Sequence, residues 1–366
     1  MKGKVLFLVN HEIVIYNFRK EIVERLLSEG YEVIISSPHG KKIDELISMG
    51  CQFEEVNMDR HGTNFINEFN LLYYYSKLFD KIKPDIILGF TIKPNIYGAI
   101  AAKKRNIPFV ANITGLGSAV ENAGVLQKFT IGLYKFAFTD IKTVFFQNEE
   151  NRQFFIDNNI AIDKHKILPG SGVNLEQFYP IHQKKIGDRI SFLFIGRLMR
   201  EKGIEEYLEA ANSLIDTHNN LEFQILGSFE EEEYKKILED NKNPNIKYLG
   251  ISSDVRNEIK NVDCVVNPSY HEGMSNVLLE SAAMGKPLLA SNIPGCKEII
   301  EDGQNGFLFK SQSTDSLKNV IIKFIKLNQE EREVMGRKSR NKIKKEFDRQ
   351  IVVDSYLEEI QNILGE

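Results

Sequence analysis

Twice along this chain, short apolar runs alternate with amphipathic stretches, and the second series starts afresh near residue 190. KVLFLV is followed by YNFRKEIVERLLSEG and YEVIISS, with IKPDIILGF and IPFVANIT further on. The runs are continuous rather than alternating, as expected of parallel strands covered on both faces. Gly30 and Gly50 follow helical patterns, where a left-handed cap is needed. The pattern therefore predicts a doubly wound β–α domain. It restarts at RISFLFIG and continues through LEFQILG, NIKYLG, VDCVVNPS and KPLLAS, predicting a second domain of the same kind. At 366 residues the chain exceeds the size at which one core usually keeps growing, so two domains agree with its length.

Between the two series lies LPGSGVNLEQFYPIHQKKIGDR, rich in Gly, Pro and charge and without a sustained period, which reads as a linker. The expected domains are 1–182 and 183–345, with 346–366 a C-terminal helix packing back on the first. Its apolar pattern runs through Ile351, Tyr356, Ile360 and Leu364. A net charge of −4, with neither half strongly basic, argues against a nucleic-acid partner. Cys51, Cys264 and Cys296 are too far apart for a disulfide framework or a CxxC metal site, which fits a reducing cytosol. The opening MKGKVLFLVNHE is too short in apolar residues for a signal peptide, and no run approaches the roughly 18 that suggest a membrane span. Any membrane contact is expected to be peripheral.

Ligands of parallel α/β sheets bind beyond the carboxyl ends of the strands. The segment HEGMSNVLLESAAMGKP, His271 to Pro287, directly follows the strand VDCVVNPS. Ser275, Asn276 or a neighbour caps the helix, and its exposed amides and dipole make Gly273 to Asn276 an anion site suited to a diphosphate. Glu272 and Glu280 would point roughly 80° apart on one continuous helix, so they share a ligand more easily with Glu272 on the loop and Glu280 on the helix. In FIGRLMREKGIEEYLEA, Arg197 follows a strand and Lys202 precedes a helix, which brings two cations to one sheet edge. A planar guanidinium fork and a mobile ammonium suit a leaving diphosphate.

These motifs resemble those of glycosyltransferase family 4, in which GRL followed by KG and an E-x7-E pattern occur in the C-terminal domain. VNLEQFYP (173–180) is similar to that family's interdomain segment and SNIPGCKEIIEDGQNGFLF (291–309) to its closing loop and strand. The resemblance implies the GT-B fold, an α/β architecture of two Rossmann-like domains facing a cleft, with a C-terminal helical segment. It also implies a nucleotide-sugar donor, with uridine as the base, and no cofactor. Gly196 belongs to the same donor-binding set, in which Arg197 and Lys202 bind the diphosphate and Glu280 accepts the ribose hydroxyls. Glu272 lies against the donor sugar, Gly273, Met274 and Ser275 offer backbone amides, and Gly250 and Ile251 contact the base. Thr114 stands where many members have a histidine, and is left with a hydrogen-bonding or backbone role.

TGLGS (114–118), KPNIYG (93–98) and IYNFRKEI (15–22) resemble a bacterial subgroup that adds sugars to polyprenyl-diphosphate-linked intermediates of capsule and N-glycan synthesis. This implies a lipid-linked saccharide acceptor, the first domain as its binding site, and a place at the inner face of the cell membrane. No Asp-x-Asp occurs in the chain, so a bound divalent cation is not required. The resemblance implies retention of configuration, with the departing phosphate drawing the acceptor's proton and no protein nucleophile. A nucleotide-sugar 2-epimerase and a non-catalytic sugar-nucleotide-binding protein share this architecture and remain alternatives.

One further segment, ENAGVLQKFTIGLYKFAFTD, carries two apolar stripes at helical spacing. Phe129, Leu133 and Phe136 are expected to pack on the first sheet; Ile131, Tyr134 and Phe138 form a second stripe that is either buried between the domain's own helices or, with Lys128 and Lys135, meets a membrane surface.

Overall fold

A computed structural model of the chain describes residues 2–58, 65–116, 124–181 and 187–365. It forms two compact units, Met1–Ser171 with Gln350–Glu366, and Gly172–Arg349.

The first unit contains strands β1 (Lys4–Leu8), β2 (Glu32–Ser37), β3 (Gln52–Glu55), β4 (Ile86–Phe90), β5 (Phe109–Ile113), β6 (Thr143–Phe146) and β7 (His165–Ile167). They form one parallel sheet in the order β3-β2-β1-β4-β5-β6-β7. Val5 and Phe7 look to one face and Leu6 and Leu8 to the other, and all four are buried. That is why the strand sequences show no polar alternation. Helices Phe65–Ile82, Ile92–Lys103 and Val125–Ala137 cover one face, through Tyr75, Phe79, Ala99, Ala102 and Tyr134, joined by Phe138 of the turn that follows the last of them. The C-terminal helix Arg349–Leu364 covers the other, with Val352, Val353, Tyr356 and Ile360 buried beside Phe7 and Phe145. Its Ile351, expected to share that stripe, is exposed instead. The Glu359 carboxylate accepts hydrogen bonds from Thr143 and Lys166.

The second unit contains β8 (Ile190–Ile195), β9 (Leu221–Leu226), β10 (Ile246–Tyr248), β11 (Cys264–Asn267), β12 (Leu288–Ser291) and β13 (Gly306–Phe309), parallel in the order β10-β9-β8-β11-β12-β13. Both sheets reverse their strand order once, between β1 and β4 and between β8 and β11. Such a reversal opens a crevice beyond the strand ends.

The division between units falls at Ser171–Gly172, not at the expected 182–183, a point outside the described residues. From Gly172 to Ile181 the segment read as a linker belongs to the second unit. Val173 and Phe178 are buried there, and the Arg340 guanidinium donates to the carbonyls of Phe178 (2.7 Å), Ala283 (2.8 Å) and Leu175 (3.3 Å). Composition alone does not reveal that clamp, because its arginine lies far along the chain.

Candidate functional site

Residues singled out by sequence gather at the carboxyl edge of the second sheet, on both sides of its order reversal. Gly203 adopts φ +73°, and a Cβ there would stand 2.2 Å from the Pro268 carbonyl oxygen. Only glycine lets the loop after β8 lie this close to the end of β11. The Tyr270 backbone N–H donates to the Glu201 carbonyl at 2.9 Å and ties the two loops together. Lys202 is thereby set 2.7 Å from Glu272, Nζ to Oε1, and Ser269 Oγ donates to the same oxygen at 2.9 Å. The pair is largely buried, so neither charge is fully screened by water.

Glu272 lies on the loop and Glu280 within the helix Asn276–Ala283, the placement that lets two carboxylates eight residues apart serve one region. Ser275 caps that helix, its Oγ accepting from the Leu278 N–H. Its own N–H donates to the Gly295 carbonyl at 2.9 Å, so the amide expected to face a phosphate is already used within the protein. The Met274 side chain is part of the core, and Asn276 opens the helix. Glu280 is partly buried, and desolvation raises its carboxyl pKa to about 7, with the Arg349 cation acting in the opposite direction.

Arg197 leaves β8 at the same edge but is more exposed, and its Nη1 lies 3.4 Å from Glu230. The two cations are thus held by separate carboxylates. Gly196, Gly227 and Gly250 follow β8, β9 and β10. The Gly227 N–H donates to the Gly250 carbonyl at 2.8 Å, and a Cβ on Gly227 would stand 1.7 Å from the Gly196 carbonyl oxygen. Ile251 is 74% exposed, its side chain in solvent at this edge. Thr114 follows β5 in the first unit and is partly buried; Gly117 and Ser118 of its motif lie outside the described residues.

Gly203, Gly227 and Gly295, which are outside the donor-binding set that the resemblance implies, set the loop approaches. A Cβ on Gly295, at φ +79°, would lie 2.7 Å from the Gly273 carbonyl oxygen. The signal for Gly227 was present, since FIG, ILG and YLG each end an apolar run in glycine. Among the described residues no group of three His, Cys, Asp or Glu could hold a metal ion.

Two family models match this architecture, glycosyl transferases group 1 over residues 177–342 and glycosyl transferase 4-like over residues 4–148. The two matched spans fall one in each unit of the chain. The chain is a glycosyltransferase of GT-B fold. It is 29% identical to an N,N'-diacetylbacillosaminyl-diphospho-undecaprenol alpha-1,3-N-acetylgalactosaminyltransferase of Campylobacter jejuni, over 87% of this chain and 88% of that one. It is also 29% identical to a UDP-Gal:alpha-D-GlcNAc-diphosphoundecaprenol alpha-1,3-galactosyltransferase of Escherichia coli, over 76% of each. Among solved structures, a glycosyltransferase of Rickettsia africae superposes with a TM-score of 0.82 at 20% identity, covering 99% of this chain and 98% of that one. The Anabaena HepE protein in complex with UDP and glucose gives 0.81 at 17% identity, covering 98% and 100%.

The expected stripes of helix Val125–Ala137 are reversed. Tyr134 and Phe138 are buried in the aromatic cluster with Phe155, whereas Phe129 and Phe136 are exposed. Ile131 and Leu133 are both partly buried against the core. The core takes the face on which Tyr134 meets Phe155, on the next helix of the chain, Glu149–Asp157.

Proposed function

We propose that this glycosyltransferase moves a sugar from a UDP-sugar to a saccharide on a polyprenyl diphosphate, with retention of configuration and without a metal ion. The observation that carries the donor site is the Lys202–Glu272 pair at the order reversal of the second sheet. Lys202 and Arg197 take the diphosphate, sharing cations that Glu272 and Glu230 hold in the free protein. Glu272, relieved of part of that contact, accepts from a donor-sugar hydroxyl. Glu280 accepts from the ribose hydroxyls, and the backbone turn at Gly250–Ile251 lies under the base.

As the glycosidic bond breaks, negative charge grows on the leaving diphosphate. The positioned cations stabilise that charge more than they stabilise the bound donor, which is the source of rate. The leaving phosphate takes the proton of the acceptor hydroxyl on the same face of the sugar, so no protein nucleophile is required.

The first unit receives the acceptor at the cytoplasmic membrane surface. Phe69 (70% exposed) and Tyr73 on one helix, with Val125 (87% exposed), Leu126 and Phe136 on another, present apolar side chains, and Lys128 and Lys135 are exposed beside them. Apolar groups flanked by lysines suit an anionic bilayer interface. No helix among the described residues is long and apolar enough to cross a membrane. Changing Val125 and Phe136 to Ser and both lysines to Glu lowers co-sedimentation with anionic liposomes while UDP binding stays intact. Undiminished sedimentation rules out this surface. The overall assignment is tested by UDP release from a UDP-sugar panel, with and without polyprenyl-diphosphate saccharides; conversion of a UDP-sugar to its C2 epimer with no acceptor present favours the epimerase class.

A further inference from the structure

The order reversal of the first sheet, between β1 and β4, also opens onto a cavity, of about 120 Å³, lined by Asn10, Met58, Thr91, Ile92 and Lys93. Asn10 follows β1 and Thr91 follows β4, so the two stand on either side of the crevice where open parallel sheets bind ligands. Asn10 Oδ1 and Thr91 Oγ1 are both buried without a hydrogen-bond partner. Buried polar atoms without partners are uncommon and costly in native proteins. Thr91 also has φ +68° and ψ 166°, a conformation close to glycine-only for a β-branched residue. Strain of this kind persists where the surrounding structure holds a residue for use.

We propose that this cavity is the subsite for a sugar ring of the acceptor, its hydroxyls donating to Asn10 Oδ1 and exchanging hydrogen bonds with Thr91 Oγ1; this assignment rests on the first unit receiving the acceptor. The atoms left without partners decide the ligand class. A carbonyl oxygen accepts only, so the ligand must bring a donor, which a sugar hydroxyl does and an ionised phosphate does not. Lys93, the one cation among the described lining residues, is held 2.6 Å from the Glu68 carboxylate and so is already paired. Met58 and Ile92 supply apolar wall for the ring's C–H face.

Saturation-transfer NMR with the methyl glycosides of glucose, galactose, N-acetylglucosamine and N-acetylgalactosamine, UDP being present throughout, tests this. At least one glycoside binds the wild type. Asn10→Ala and Thr91→Gly weaken it about tenfold, the scale of one lost hydrogen bond. Thr91→Ser retains binding, and all variants keep their UDP signals. Thr91→Gly relieves the backbone conformation, so loss of the fold does not explain its effect. Equal glycoside binding by wild type, Asn10→Ala and Thr91→Gly overturns the subsite, as does a wild type that binds UDP but none of the glycosides. If the glycoside pattern holds but UDP does not bind, the subsite stands and the UDP donor assignment falls.

Discussion

If Glu280 accepts from the ribose as proposed, nucleotide affinity depends on pH in a direction that the burial of this carboxyl dictates. Desolvation raises its carboxyl from an ordinary 4.5 to about 7 in the free protein. Below 4.5 the folded and unfolded chains are both protonated there, and Glu280 costs nothing. As pH rises from 4.5 to 7 the unfolded chain ionises while the folded one resists, so this group's contribution to stability falls. Above 7 the full penalty applies, about 3 kcal/mol from the size of the shift. In the proposed donor site the ribose hydroxyls donate to this carboxylate and favour its ionised form. UDP affinity therefore rises with pH, by up to about tenfold between one unit below the midpoint and the plateau above it. The phosphate of UDP titrates nearby, so the comparison is with Glu280→Gln, in which only the protein term is removed. Calorimetric titration of both proteins from pH 5.5 to 8.5 gives a wild-type to variant affinity ratio that climbs through pH 7. Thermal unfolding without ligand shows Glu280→Gln more stable than wild type above pH 7 and equal to it near pH 4.5. A flat affinity ratio, with no stability crossover, refutes the reasoning.

Arg197→Ala and Lys202→Ala each lower turnover by about 10² to 10³, the scale for one positioned electrostatic donor; near-wild-type turnover in both removes them from the site. Lys202→Ala leaves the Glu272 carboxylate with Ser269 as its remaining partner of the pair described, so urea unfolding shows a loss of about 1 to 3 kcal/mol, largely recovered in the double variant with Glu272→Ala. Additive losses argue against coupling. Glu272→Ala slows turnover while sparing UDP affinity, and Glu280→Ala does the reverse; equal losses in both assays show the two roles misassigned. Gly227→Ala, whose Cβ would meet the Gly196 carbonyl oxygen at 1.7 Å, lowers stability by about 3 kcal/mol or more in urea unfolding, and an unchanged midpoint contradicts the close approach.

Much of the architecture was legible because parallel strands covered on both faces write themselves as continuous apolar runs, as in KVLFLV and RISFLFIG. The positions of Lys202 and Glu272 were legible for a related reason, since each follows such a run. What escaped was set by contacts between distant residues. The Arg340 clamp turns a Pro- and Gly-containing segment into part of the second unit, and nothing near Phe178 in sequence announces it. The two stripes of helix Val125–Ala137 are nearly equal in hydrophobicity, and only the packing of Tyr134 and Phe138 on Phe155 selects the buried one. That Arg197 and Lys202 sit with different carboxylates was likewise invisible, because Glu230 and Glu272 lie on loops after different strands.

The central claim is most directly tested by the anomeric configuration of the product formed from an α-configured UDP-sugar and a polyprenyl-diphosphate saccharide in excess EDTA. Proton NMR of the new linkage is expected to show the α anomer, with release of UDP undiminished by the chelator. A β-linked product, or transfer that appears only when Mg²⁺ or Mn²⁺ is restored, contradicts the account.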